Sequence, residues 1–302
     1  MNSFQDLINS PLGIGLALWL GRALSPGIGL RVANVTGGWL AQRRQLAMVQ
    51  AVRANQWVLS GCATDSAFLN KAVRDTYTHT GRCLYDLYHN IHNLERLYAR
   101  IDFSERFDQF LEDRQQPEQG LVVAGVHLSN FDLGVHAVGR RGLKAVVLGV
   151  SNPGEGYQWQ NKLRAESGLQ VLSSSANTLR HAIQHLEAKG TVVTGLDRPL
   201  PDSKYLPRFF GYPAALPVMH ILLALKARVP VMVTFTHFTE AGRYYIDISE
   251  PIIMQPHPDR RQEILLNAER VLSLAEAAIR QAPQQWTMFY PVWPEMLSKM
   301  PA

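Results

Sequence analysis

Three short apolar runs constrain the fold of this 302-residue chain more than any other feature. They are Leu121-Val122-Val123-Ala124-Gly125-Val126, Ala145-Val146-Val147-Leu148-Gly149-Val150 after Lys144, and Thr191-Val192-Val193-Thr194-Gly195-Leu196. Each is β-branched, too short for a helix and without polar alternation, which is the pattern of a strand buried on both faces. Helical patterns separate them at residues 131–138, 155–167 and 176–188, the last ending at Gly190, with one more short strand at 170–172. Residues 214–228 read as helix, 229–238 and 244–248 as a strand pair around Ala241-Gly242, and 259–281 as a long amphipathic closing helix. Strands alternating with helices predict an α/β fold with a mixed, mostly parallel central sheet flanked by helices.

The chain before the sheet reads as all-helical. Segments 43–58 and 64–93 have helical spacing, the second capped by Thr64, and a short helix covers 104–112. Phe68, Ala72, Thr76, His79, Cys83 and Leu87 follow that spacing and mark a core face. The expected organisation is a membrane-associating segment (1–42), a helical region (43–100) and an α/β domain (101–302).

Charge singles out the first of these. The net charge is only +5, but no Asp or Glu occurs between Leu7 and Thr64, where Arg22, Arg31, Arg43, Arg44 and Arg53 all fall. That stretch accounts for the whole surplus. It includes the apolar run from Leu12 to Leu20, yet the charge-free span from Leu7 to Gly21 contains Pro11 and falls short of the about 20 residues a spanning helix needs. A secretory signal would carry positive charge ahead of its apolar core, and the only early charge is Asp6. Arginines beside an apolar, Trp-bearing helix suit a segment on an anionic membrane surface; a buried first helix with solvated arginines is the alternative. Nucleic acid is not an expected partner, since the stretch has no Lys, zinc spacing or stacking pattern. Cys62 and Cys83 form at most one bridge, so this is no disulfide scaffold.

In open α/β sheets ligands bind beyond the carboxyl ends of the strands. The first buried strand is followed by His127-Leu128-Ser129-Asn130-Phe131-Asp132, the second by Ser151-Asn152-Pro153-Gly154, the third by Asp197-Arg198-Pro199. A His leaving a strand, with an Asp five residues on, can form a base and its orienting carboxylate. On one continuous helix the two would point about 140° apart. If Ser129 or Asn130 caps the next helix, the chain folds back and Asp132 can reach the ring. A polar loop after a strand is the alternative reading. There is no G-x-S-x-G elbow, so the dyad implies no protein nucleophile and acts on a substrate hydroxyl. His181 and His185 lack the Glu of H-E-x-x-H, and no metal or other cofactor is expected.

The segment His127–Asp132 resembles the H-x4-D/E motif of the lysophospholipid acyltransferase superfamily, in the branch of bacterial lipid A lauroyl/myristoyl and phosphatidylinositol mannoside acyltransferases. The likeness continues through Ser151-Asn152-Pro153, Arg164 with Gly168, Leu196-Asp197-Arg198, Phe209-Phe210-Gly211 with Pro213, Ala227-Arg228-Val229-Pro230-Val231 and Pro283-Gln284-Gln285-Trp286. Leu128-Ser129 stands where the family often has an aromatic and Gly, Phe131 where Trp is common, and Gln284 where Glu is usual. The resemblance implies acyl transfer from an acyl carrier protein or coenzyme A thioester to a hydroxyl of a lipid or glycolipid acceptor. His127 would be the base and Asp132 its orienter, at the cytoplasmic face of the cell membrane, peripheral or anchored by the N-terminal segment. Asn130, Arg164, Asp197, Arg198, Phe209, Phe210 and Gly211 would contact substrate. In this scheme the arginines meet an anionic headgroup unless an acid such as Asp197 pairs with them, and the two Phe wall a lipid groove. A thioesterase using the same dyad, or a lipid-binding protein without turnover, are the competing readings.

Overall fold

A computed structural model describes residues 15, 18–19, 21–149 and 155–301. Most of the apolar run at Leu12–Leu20, and the Ser151-Asn152-Pro153 segment, lie outside the described residues. The helices are α1 (Pro26–Ala41), α2 (Ala47–Leu59), α3 (Ser66–Asn90), α4 (Leu94–Ala99), α5 (Glu105–Asp113), α6 (Phe131–Arg140), α7 (Glu155–Glu166), α8 (Ala176–Glu187), α9 (Met219–Ala227) and α10 (Arg260–Gln281). The strands are β1 (Ile101–Phe103), β2 (Leu121–Gly125), β3 (Ala145–Gly149), β4 (Gln170–Ser173), β5 (Thr191–Gly195), β6 (Arg208–Phe209), β7 (Tyr212–Pro213), β8 (Val231–Phe238) and β9 (Tyr244–Ile248).

Seven strands form one sheet in the order β1-β9-β8-β2-β5-β3-β4. Every neighbouring pair is parallel except β8 and β9. This is the mixed, mostly parallel sheet the apolar runs predict. β2 and β5 lie at its centre, and their near-complete burial explains why neither sequence alternates strictly between apolar and charged residues.

The helix ends follow the chemistry of their first residues. Asp65 rather than Thr64 caps α3, its carboxylate accepting from Phe68 N. Ser104 caps α5, Ser175 α8 and Asp259 α10, each accepting from the third residue on. The buried face of α3 is Leu69, Val73, Thr76, Tyr77, Cys83 and Leu87; Phe68, expected in the core, is exposed. Residues 214–218, expected as helix, form no regular element, and the helix begins only at Met219; Pro217 has no N–H to give to a helical turn.

A hydrophobic cluster on one sheet face joins Val122, Val192 and Val231 to α8, α9 and α10, and also takes in Ala54 and Val58 of α2. A second joins Val123, Met232 and Ile246 to α5 and α6 and includes Cys83, Leu87 and Tyr88 of α3. The helical N-terminal region thus shares both cores with the sheet. Helix α1 lies on α3 through small residues: a Cβ on Gly37 would sit 2.6 Å from the Tyr77 carbonyl oxygen, and one on Gly81 would sit 2.7 Å from that of Ala33. Among the described residues no helix is long and apolar enough to cross a membrane.

Candidate active site

Strand register builds the site. β2 and β5 run parallel with Gly125 beside Gly195. Two residues beyond each glycine stand His127 and Asp197, which leave the sheet side by side. The Asp197 carboxylate accepts from His127 Nδ1 at 2.6 Å (Oδ1), from the His127 backbone N–H at 3.0 Å and from Trp286 Nε1 at 2.8 Å (both Oδ2). Asp197 is 0% exposed, whereas the His127 side chain is 22% exposed. A carboxylate only accepts, so Nδ1 carries the proton and the neutral ring keeps its lone pair on Nε2. Among the described residues no serine or cysteine bonds that nitrogen. Gly195 makes room for the ring, since a Cβ there would lie 3.2 Å from His127 Cε1. Phe131 packs edge-on against the imidazole, centroids 4.7 Å apart.

The expected partner of His127, Asp132, is elsewhere. It sits in the first turn of α6 and accepts through Oδ1 from Arg164 Nε at 2.9 Å and from Nη2 at 2.6 Å. The cause is geometric: α6 begins at Phe131, and its first turn directs residue 132 toward α7 rather than back to the strand end. Arg164 is buried and gives its remaining terminal nitrogen to Asn161. Burial alone would lower its guanidinium pKa, and Asp132 with Tyr157 more than offsets this, holding it above the ordinary value. Arg164 is therefore the partner of Asp132, neither an open headgroup site nor a partner of Asp197.

Asn130, expected to contact substrate, is a buried N-cap. Its Oδ1 accepts from Leu133 N and its Nδ2 donates to the Cys83 carbonyl at 2.8 Å, so both ends of the amide are engaged. Phe209 and Phe210 are likewise core, not groove. Phe209 stacks on Trp293 at 5.7 Å and meets Trp286 edge-on at 5.9 Å. Phe210 and Gly211, with φ of 51° and 83°, form the two-residue turn between β6 and β7. Such a primed turn needs positive φ at both central positions. Phe210 holds its strained place by packing on Trp286 and Trp293 and by donating its N–H to Glu276 at 2.7 Å. The turn thus props Trp286, which in turn fixes Asp197.

Arg198 differs from Arg164. It is half-buried at the rim, donates to the Tyr290 hydroxyl at 2.9 Å, and lies over the rings of Tyr290 (4.4 Å) and Tyr157 (5.5 Å). Among the described residues no carboxylate pairs with it. Trp286, Thr287 and Gln285 complete the surroundings. Thr287 donates its N–H and hydroxyl to the His127 carbonyl, and Gln285 accepts from Ser129 N. The first motif-bearing segment and the last are therefore in contact, a pairing for which the sequence offers only the Pro283-Gln284-Gln285-Trp286 resemblance as a signal.

An imidazole at the carboxyl edge of a parallel sheet, held by a buried carboxylate and open at Nε2, has the geometry with which a general base can take a proton from a substrate's own nucleophile. The family model described as bacterial lipid A biosynthesis acyltransferase matches residues 5–295, nearly the whole chain. The chain belongs to that family, whose members are acyltransferases acting on lipid A-like acceptors. Among curated proteins, none matches it.

Proposed function

We propose that this protein moves a fatty acyl group from a thioester on acyl carrier protein or coenzyme A to a hydroxyl of a lipid A-like or other glycolipid acceptor. His127 is the base and Asp197 its orienter. The observation that carries the reading is the 2.6 Å bond from His127 Nδ1 to a fully buried carboxylate, which leaves Nε2 as the acceptor. Nε2 takes the acceptor's hydroxyl proton while that oxygen bonds to the thioester carbon. The tetrahedral oxyanion then collapses, the C–S bond breaks, and the imidazolium returns its proton to the leaving thiolate. Asp197 stabilises the imidazolium between the two steps. First-turn N–H groups of α6 at Phe131 and Asp132 make no hydrogen bond among the described residues and suit the oxyanion. Arg198 suits a phosphate of donor or acceptor, since a guanidinium presents a planar fork of donors. No cofactor takes part beyond the thioester co-substrate. The reaction takes place at the anionic cytoplasmic face of the cell membrane, which the α1 region contacts.

The test uses purified full-length protein, an acyl thioester and a lipid A precursor. His127→Ala should lose roughly 10²–10⁴-fold in transfer, the usual worth of a general base. Transfer near the wild-type level in that variant would sink the assignment. Acyl release to water without acceptor, as fast as transfer with it, would make the protein a thioesterase.

A further inference from the structure

The turn that delivers His127 is held by α3 as well as by β5. Ser129 has φ of 52°, a left-handed conformation that glycine adopts freely and a residue with a Cβ resists. The residue is 2% exposed, so its hydroxyl needs a partner inside the protein. That partner is His79 of α3, whose Nε2 lies 2.9 Å from Ser129 Oγ. Cys83 Sγ lies 3.3 Å from the same nitrogen, and one residue along the turn Asn130 bonds the Cys83 carbonyl. Burial, with the charge of Arg82 added, brings the His79 imidazole down to about 4. Near neutral pH the ring is uncharged. A serine at this strained position, two residues from the base, is therefore matched by a neutral acceptor-donor on a different element.

We infer that His79 is a positioning residue for His127: its hydrogen bond to Ser129 holds the left-handed turn that sets the direction of the catalytic imidazole. The inference rests on the reading of His127 as the base. It differs from a purely structural role, in which His79 only packs α3 against Phe238, its ring neighbour at 5.9 Å.

Full-length Ser129→Ala, His79→Ala and the double variant His79→Ala/Ser129→Gly separate the two. Alanine at 129 keeps the Cβ that resists the turn and loses the bond. Its kcat should fall roughly 10- to 100-fold, as a misplaced catalytic group does, with KM for the thioester unchanged. His79→Ala should match it. Glycine needs no bond to hold positive φ, so the double variant should recover most of the rate that His79→Ala loses. Wild-type kcat in both single variants, or a double variant as slow as His79→Ala, overturns the proposal. The His127 Nδ1 proton resonance supplies a readout that needs no turnover: it should move or broaden in both single variants and return in the double one. If it is unaltered by Ser129→Ala, which removes a single oxygen and leaves the fold intact, the positioning role is wrong even should no thioester prove to be a substrate.

Discussion

Asp197 accepts three hydrogen bonds in a position closed to solvent, and each constrains a different thing: the ring, the strand-end backbone and Trp286. Asp197→Asn keeps the shape and removes the charge that stabilises imidazolium, while its amide NH2 must face at least one group that also donates. Single-turnover transfer should fall roughly 10³–10⁴-fold, as when the carboxylate of a comparable triad is made an amide. Asp132→Asn acts on a different quantity. It leaves the nearly buried Arg164 guanidinium without its counter-charge, and urea denaturation should show a loss of about 3 kcal/mol. At equal folded concentration its rate loss should be the smaller of the two; the reverse order would return the orienting role to Asp132. His127 stood out in the sequence because it follows the carboxyl end of a buried strand and opens the H-x4-D resemblance. Asp197 was legible as a strand-end acid but not as the partner of His127. That pairing depends on β5, not the next strand in sequence β3, lying beside β2, and strand order is not written in composition.

At the scale of elements, α9 carries an unresolved conflict. His220 is fully buried in an apolar cluster, and neither ring nitrogen has a hydrogen-bond partner among the described residues. Burial brings its pKa from 6.5 down to about 4. A lowered folded pKa means that below pH 6.5 the unfolded chain takes up a proton the native state refuses. The stability present above pH 6.5 is thus lost as pH falls toward 4. His220→Leu removes both the unsatisfied polar atoms and the titration. It should stabilise by about 1 kcal/mol or more at pH 7, and its lead in Tm over the wild type should widen at pH 6 and again at pH 5. A constant lead would show that His220 does not titrate on unfolding. The elements themselves were largely readable, because buried strands and amphipathic helices have different periods and the caps at Ser104, Ser175 and Asp259 are side-chain chemistry. The β6–β7 turn was not: Phe210 at positive φ breaks the local preference for Asn or Gly, and its packing on two tryptophans with its N–H bond to Glu276 explains it.

For the whole molecule, the uneven charge meets an uneven surface. Along α1 the residues Ile28, Val32, Val35 and Trp39 recur at helical spacing and are all exposed, while Gly29, Ala33 and Gly37 face α3. Arg31 is exposed on the same helix, and the Arg43 guanidinium lies over the Trp39 ring at 4.4 Å. An apolar stripe beside cations and without acids fits a helix lying in the headgroup region of an anionic bilayer. Deleting residues 1–42 is a poor test of this, because it would also uncover Tyr77, Gly81 and Tyr85, against which α1 packs. Replacing Ile28, Val32, Val35 and Trp39 together by Ser changes only exposed positions and leaves that contact intact. This variant should lose most of its sedimentation with phosphatidylglycerol-containing vesicles while keeping its Tm. Reversing Arg31 and Arg43 to Glu should weaken binding to anionic vesicles but not to neutral ones. Salt should diminish the wild type's preference for anionic vesicles over the range where the screening length drops below about 10 Å. If the four-serine protein still sediments as the wild type does, the stripe is not the membrane contact, and any attachment must come from another surface.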